Sequence, residues 1–125
     1  MGRAATIGVV TILVAACSRG SVPRDAAPVI DQFLLAAAAG DSLTIRQLTI
    51  GGDPASKMAA MRQREPALLQ AAMSERRLHS SVLKGDTAYI AYRLPLGGRT
   101  EILTVGLVRR GDSWLVYNVG VPTRD

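Results

Sequence analysis

The residues that could carry acid–base or nucleophilic chemistry are few in this chain, and they do not form a recognisable catalytic set. His79 is the single histidine and Cys17 the single cysteine. One histidine and one cysteine cannot supply the nitrogen and sulfur ligands of a typical zinc site. The sequence also has no glycine-rich loop with the spacing that binds phosphates. We therefore predict no catalytic residues, no metal site and no cofactor.

The histidine and the aspartates that could act as acids or bases have structural explanations. Asp31 lies beside the apolar stripe of a predicted helix, where we expect it to face solvent. His79 follows Leu78 in a predicted strand, and a histidine in that position usually lies at the edge of a core or on the surface. Asp86 and Asp112 are typical turn residues.

Cys17 ends a segment that has the pattern of an export signal. Arg3 gives it a positive start, and residues 4–16 are uncharged, mostly apolar and end in small side chains. The run is shorter than the about 20 apolar residues that span a bilayer. The sequence Leu13-Val14-Ala15-Ala16-Cys17 resembles the bacterial lipobox, which implies cleavage before Cys17 and diacylglycerol on its sulfur. We expect residues 1–16 to be a lipoprotein signal peptide.

Lipidation predicts where the protein works. Two or three acyl chains on one residue are enough for stable anchoring, so we expect an exported protein held at the bacterial cell envelope by its lipid. Ser18 after the cysteine resembles the outer-membrane pattern, which in a bacterium with two membranes implies the outer membrane, facing the periplasm. Residues 17–25 include Gly20 and Pro23 and predict the lipidated cysteine followed by a flexible tether.

Composition narrows the class of protein further. The formal net charge is +5, and removing Arg3 with the leader leaves 14 basic against 10 acidic residues, or +4. The arginines are scattered and lack interleaved aromatic residues, so we predict no nucleic-acid partner. A mild positive excess suits a protein held at an anionic membrane surface. A single cysteine excludes an internal disulfide framework.

Turn and cap residues predict helices in the first half of the domain. Asp25 can cap a helix that Gly40 ends, and Asp41 can cap a second, shorter one. Asp53 stands before a proline and predicts a third helix start. Pro66 should kink or restart that helix just ahead of it, because proline removes a backbone hydrogen bond.

The second half of the domain predicts an antiparallel sheet, because the apolar period changes from helical spacing to two. Short glycine turns at 84–86 and 110–112 and a longer loop at 95–98 separate the strand-like runs. These runs cover roughly residues 77–84, 87–94, 100–109 and 113–120. The predicted fold class is α+β, with N-terminal helices packed on a curved antiparallel four-stranded sheet.

Two local features resemble those of a known protein superfamily. Gly40-Asp41 follows the first helix, and the chain closes with Gly111-Asp112-Ser113-Trp114-Leu115-Val116-Tyr117-Asn118-Val119. Together with the order of elements they resemble the nuclear transport factor 2-like (cystatin-like) superfamily. The resemblance covers about residues 26–120. It implies a cone-shaped domain over residues 26–121, with a cavity inside the bent sheet.

The family's cavity defines the candidate site residues. If this chain has such a cavity, its lining would include one residue of the first helix and several of the strands: Phe33, His79, Tyr89, Tyr92 and Tyr117. Members that act as ketosteroid isomerases or polyketide cyclases keep carboxylate, tyrosine or histidine groups inside it. Others use the fold only for binding, so the fold does not decide the activity.

Three functions follow as hypotheses. The first is a noncatalytic, membrane-anchored module that binds a small apolar ligand or a protein, including a second copy as a homodimer through the sheet face. The second is a cyclase- or isomerase-like enzyme in which His79 or Asp31 accepts a proton and Tyr92 polarises a carbonyl. It fails if His79 and Asp31 lie on the outside, or if they are much farther apart than hydrogen-bond reach through one water. The third is a structural spacer of the envelope.

Overall fold

The computed structural model describes residues 21–122, so the expected signal peptide and Cys17 lie outside the described residues. In this described part, four helices precede four strands, which confirms the α+β prediction. The helices are α1 (Ala27–Ala39), α2 (Ser42–Leu48), α3 (Asp53–Arg64) and α4 (Pro66–Ser74), and the strands are β1 (Arg77–Lys84), β2 (Thr87–Leu96), β3 (Arg99–Arg110) and β4 (Ser113–Gly120). In residues 21–122, no helix has the length and apolar character needed to cross a bilayer.

Three of the expected helix signals act as predicted. Gly40 adopts the left-handed conformation with φ of 72° and ends α1, a backbone region that favours glycine. Asp41 accepts a 3.2 Å hydrogen bond from the backbone N–H of Thr44 and caps α2. Pro66 begins α4 one residue after α3 has ended, so the predicted interruption is a complete restart.

Two expected caps are wrong. Asp25 does not cap α1, because the N–H groups of Ala26 and Ala27 already donate to the carbonyl of Pro23 at 2.9 and 3.1 Å. Asp53 is not a cap either: it lies inside the first turn of α3, where its carboxylate is 3.2 Å from Lys57 Nζ. A carboxylate in the first helical turn still interacts favourably with the helix dipole.

The strands form one antiparallel sheet in the order β1-β2-β3-β4, each joined to the next by a hairpin. The expected loop at 95–98 is shorter than predicted. Gly97 and Gly98 both have positive φ, at 56° and 84°, which is the geometry of a two-residue hairpin turn. Pro95 therefore pairs with Thr100 inside the sheet.

One face of this sheet, the inner face, packs against the helices and forms the core. Side chains of α1, α3 and α4 interlock there with alternate residues of β2, β3 and β4, as the period of two predicts. The largest fully buried members are Trp114, Phe33, Ile30, Leu34, Met58, Leu68, Ile90, Leu94, Leu103, Leu107, Val105 and Val116.

The described part of the expected tether, residues 21–25, is attached to the domain. Ser81 Oγ in β1 donates a 2.7 Å hydrogen bond to the carbonyl of Ser21, and Val22 packs against the core. At the other end of the segment, the carboxylate of Asp25 accepts a 2.9 Å hydrogen bond from Trp114 Nε1. Residues 21–25 are therefore held against the domain, in contrast to the flexible tether that the sequence predicts.

Candidate functional site

The structure does not bring the five expected cavity residues together. Phe33 is 0% exposed and is part of the packed core. Tyr92 also faces inward and is buried, with the guanidinium carbon of Arg76 5.1 Å from its ring centre. His79 is exposed, at an irregularity of β1. Tyr89 and Tyr117 lie on the opposite face of the sheet.

The acid–base arrangement that the enzyme hypothesis requires is not present. Both expected proton acceptors, His79 and Asp31, are exposed on the outside of the domain. The carboxylate of Asp31 pairs with Arg76, whose guanidinium also donates to the carbonyl of Ala72 at 3.0 Å. Asp31 therefore has a structural partner that ties α1 to the end of α4.

Tyr92 has an environment set by packing. Burial raises the pKa of its hydroxyl, and the nearby charge of Arg76 opposes that rise. A neutral, buried tyrosine beside an arginine is expected of a core residue that keeps its polar end near the surface. Nothing about this arrangement requires a substrate.

Four pockets in the described part of the chain are open surface depressions. One, of about 640 Å³, lies between α3 and the end of β4 and is lined in part by Lys57, Met61, Arg64 and Pro122. Two others flank the β2–β3 turn, and the fourth lies between α3 and α4. None of these four is lined by an expected cavity residue. Residues 21–122 also contain no group of three His, Cys, Asp or Glu able to hold a metal.

The face of the sheet away from the helices is the surface most suited to binding. We call it the outer sheet face. Its three most exposed apolar side chains are Val82 at 53%, Tyr89 at 48% and Ile102 at 38%. Half-buried residues from all but the first strand continue the surface: Ala91, Thr104, Val108, Leu115 and Tyr117.

Two tyrosines form the centre of the outer sheet face. The Tyr117 hydroxyl donates a hydrogen bond to that of Tyr89, and the two rings meet edge to face with centres 6.1 Å apart. Between them lies Gly106 of β3, where a Cβ would be 3.2 Å from Cε1 of Tyr117. Glycine at 106 therefore leaves room for the Tyr117 ring to lie against the sheet.

The position of Tyr117 depends on an extra residue in β4. Gly106 pairs with Asn118 and Leu107 with Val116, so Tyr117 stands unpaired between them. Such a bulge redirects a side chain. Loss of hydration in this position, the hydrogen bond to Tyr89 and the charge of the Tyr89 phenolate together raise the pKa of Tyr117 to about 12.

The alternation of side chains along a strand predicts part of this arrangement from the sequence. Tyr89 alternates with Ala88, Ile90 and Tyr92, so Tyr89 and Tyr92 cannot both face the interior of one regular strand. The bulge at Tyr117 had no comparable signal, because a bulge depends on pairing between distant residues.

Comparison of the chain with protein-family models, curated proteins and solved structures found no match.

Proposed function

We propose that this chain is a lipid-anchored, noncatalytic protein of the bacterial cell envelope that acts as a protein-binding module, with a second copy of itself as the partner. The observation that carries the proposal is the contrast between the two faces of the sheet. Helices pack against the inner face of β2, β3 and β4, whereas the outer sheet face exposes apolar side chains at its centre.

The packed interior favours binding on the outside. A pocket for a small apolar ligand needs enclosed space lined by apolar side chains. In this domain the space between helices and sheet is occupied by Phe33, Met58, Trp114 and their neighbours, all essentially inaccessible to solvent.

The chemistry of the outer sheet face suits burial against another protein. The hydroxyls of Tyr89 and Tyr117 at its centre already hydrogen-bond to each other, and the other polar side chains there are those of Thr104 and Asn118. Burying polar groups is costly only when they lose their partners. Aromatic residues are also enriched in protein interfaces, where they contribute much of the binding energy.

The size of the face fits a modest symmetric dimer. Four strands spaced about 4.8 Å apart and about eight residues long present roughly 500 Å² on one face. Two such faces would bury about 1,000 Å², which is near the lower limit for a specific interface. Two sheets can pack face to face in this way, and a two-fold axis makes the surface its own complement.

Lipid anchoring would make such a weak dimer effective. Holding two copies on one membrane raises their effective concentration without any new contact. Anchoring and self-association therefore support each other in this proposal; the first is inferred from the sequence around Cys17 and the second from the uncovered sheet face.

Cross-linking in membranes tests the proposal directly. Because Cys17 is the single cysteine and its sulfur would carry lipid, an introduced cysteine would be the only free thiol. We would introduce Val82→Cys, Tyr89→Cys and Ile102→Cys singly in the full chain and treat native membranes with a short bis-maleimide. The matched control is Leu43→Cys on α2, where the side chain is 63% exposed.

A product of twice the chain mass from the outer-face variants, and none from the Leu43 variant, is the expected result. Adding Ile102→Asp to the Tyr89 variant should abolish that product. Only monomers at every position would overturn self-association, and a product of another mass would identify a different protein as the partner. Equal dimer yield at all positions would indicate random collision and would also contradict the proposal.

A further inference from the structure

The segment leading to the proposed anchor joins the domain at the edge strand β1. The carbonyl of Ser21 accepts the hydrogen bond from Ser81, and three residues, 18–20, separate Ser21 from Cys17. An extended chain covers at most about 3.6 Å per residue. The four steps from Cys17 to Ser21 therefore reach about 14 Å, so a lipid on Cys17 would keep this edge of the sheet close to the bilayer.

Leu83 is an exposed apolar side chain beside this junction. It is 59% exposed, although it lies on the inner side of β1. Side chains two residues apart in a strand point the same way and are about 7 Å apart. Leu83 therefore stands next to Ser81, on the side of β1 from which Ser81 contacts Ser21.

The charged side chains near Leu83 include one more positive than negative group. Lys84 follows it, and Asp86 lies in the same turn; both are exposed. Arg24 is exposed in the anchored segment, where Asp25 is paired with Arg109 at 3.3 Å. Leu83 is thus the side chain at this edge that would gain most from leaving water for a bilayer. The lysine beside it can extend toward the lipid headgroups.

We infer that strand β1 rests on the membrane surface and that Leu83 inserts among the lipids, so that the domain has one fixed orientation on the bilayer. The inference rests on the proposed lipidation of Cys17. The acyl chains would hold the protein at the membrane, and Leu83 would select which edge faces it.

This orientation is compatible with the proposed dimer. Val82 precedes Leu83 and points to the outer sheet face, so a bilayer that meets the edge of β1 at Leu83 would leave the outer sheet face uncovered. A two-fold axis along the membrane normal brings two outer sheet faces together with both β1 strands on the bilayer. The same axis makes the facing strands of the two copies antiparallel. Arg77 and Arg93, which are neighbours in one copy, therefore lie far from Arg77 and Arg93 of the other copy.

Fluorescence quenching by labelled lipids tests the inference. Leu83→Cys and Leu43→Cys would be made in the full lipidated chain, labelled with a polarity-sensitive fluorophore and reconstituted in vesicles of phosphatidylethanolamine and phosphatidylglycerol. Leu43 is the matched control, since it is a leucine of similar exposure on α2, which ends beside β4 at the far edge of the sheet. A doxyl group on the acyl chains quenches only fluorophores that enter the bilayer.

The expected result is blue-shifted emission and loss of intensity at position 83, with neither change at position 43. If the chain binds the vesicles but both labels remain in water, the inference fails while lipid anchoring stands. If both labels are quenched, the domain has no preferred orientation and the inference fails as well. A chain that carries no acyl group and stays out of the vesicles would overturn the anchoring and the orientation together.

Discussion

Trp114 donates its indole N–H to the carboxylate of Asp25 at 2.9 Å and thereby joins the last strand of the sheet to the segment before the first helix. Arg109 completes the arrangement, with its guanidinium carbon 4.8 Å from the centre of the Trp114 ring system. The same segment is held by Ser81 at Ser21. These two attachments determine where the chain leaves the domain on its way to Cys17.

Replacing Asp25 should weaken the domain measurably. In Asp25→Ala the partly buried indole N–H of Trp114 loses its acceptor, and an unsatisfied donor of this kind costs about 1–3 kcal/mol. Asp25→Asn keeps an oxygen acceptor and loses only an exposed ion pair with Arg109, which is worth at most about 1 kcal/mol. Urea unfolding followed by Trp114 fluorescence measures the free energy of unfolding of both variants. Equal midpoints for Asp25→Ala and the unchanged chain would show that the hydrogen bond contributes nothing.

Phe33→Ala tests whether the interior is filled. Removing a fully buried phenylalanine from a packed core costs about 3–5 kcal/mol, because the cavity left behind collapses only in part. Leu35→Ala, an exposed position on the same helix, is the matched control and should change the free energy of unfolding by about 0.5 kcal/mol or less. Similar small losses in the two variants would mean that Phe33 lines open space, as the original cavity hypothesis required.

The tyrosine pair predicts a spectroscopic result. In Tyr89→Phe, Tyr117 loses the hydrogen bond and the neighbouring phenolate charge that raise its pKa, whereas its loss of hydration remains. The pKa of Tyr117 should therefore fall below about 12 but stay above the ordinary value of 10.0. The chain has three tyrosines, so absorbance titration of the Tyr89→Phe/Tyr92→Phe variant reports Tyr117 alone. An unchanged pKa relative to Tyr92→Phe would contradict the pairing.

The same pair makes stability depend on alkaline pH. Because folding raises the pKa of Tyr117 above 10.0, the folded state keeps this proton more tightly than the unfolded state. The stabilisation that this tighter binding of the Tyr117 proton gives the folded state is complete below about pH 10 and is lost as the pH rises toward 12. The free energy of unfolding should then fall more steeply with pH in the unchanged chain than in Tyr117→Phe. Parallel curves for the two proteins would exclude a stabilising role for the neutral hydroxyl.

Local signals predicted most of the fold. Strands β1 and β4 have the expected bounds, because hairpin turns and alternation act over a few residues. The predictions that failed depended on contacts that the local sequence pattern does not contain. Asp25 follows the pattern of a helix cap, but Trp114, 89 residues later, binds its carboxylate. Similarly, Pro95 is typical of a loop until the glycine turn and the pairing with Thr100 place it in β2.

The candidate site was less predictable than the fold. The sequence identifies Tyr89 and Tyr117 as strand residues, but their meeting requires Gly106 between them and a bulge that turns Tyr117 across the sheet. Whether the helices leave room for a cavity depends on the volume of the side chains between the helices and the sheet. Phe33 and Trp114 fill that volume here, and no periodicity in the sequence measures it.

Mass spectrometry of the protein isolated from its native cells tests the central claim, that Cys17 anchors this domain to a membrane. The account predicts a chain that begins at Cys17 and carries acyl chains on that residue. A chain with residues 1–16 still attached, or one that begins at position 17 with a free thiol, would contradict it.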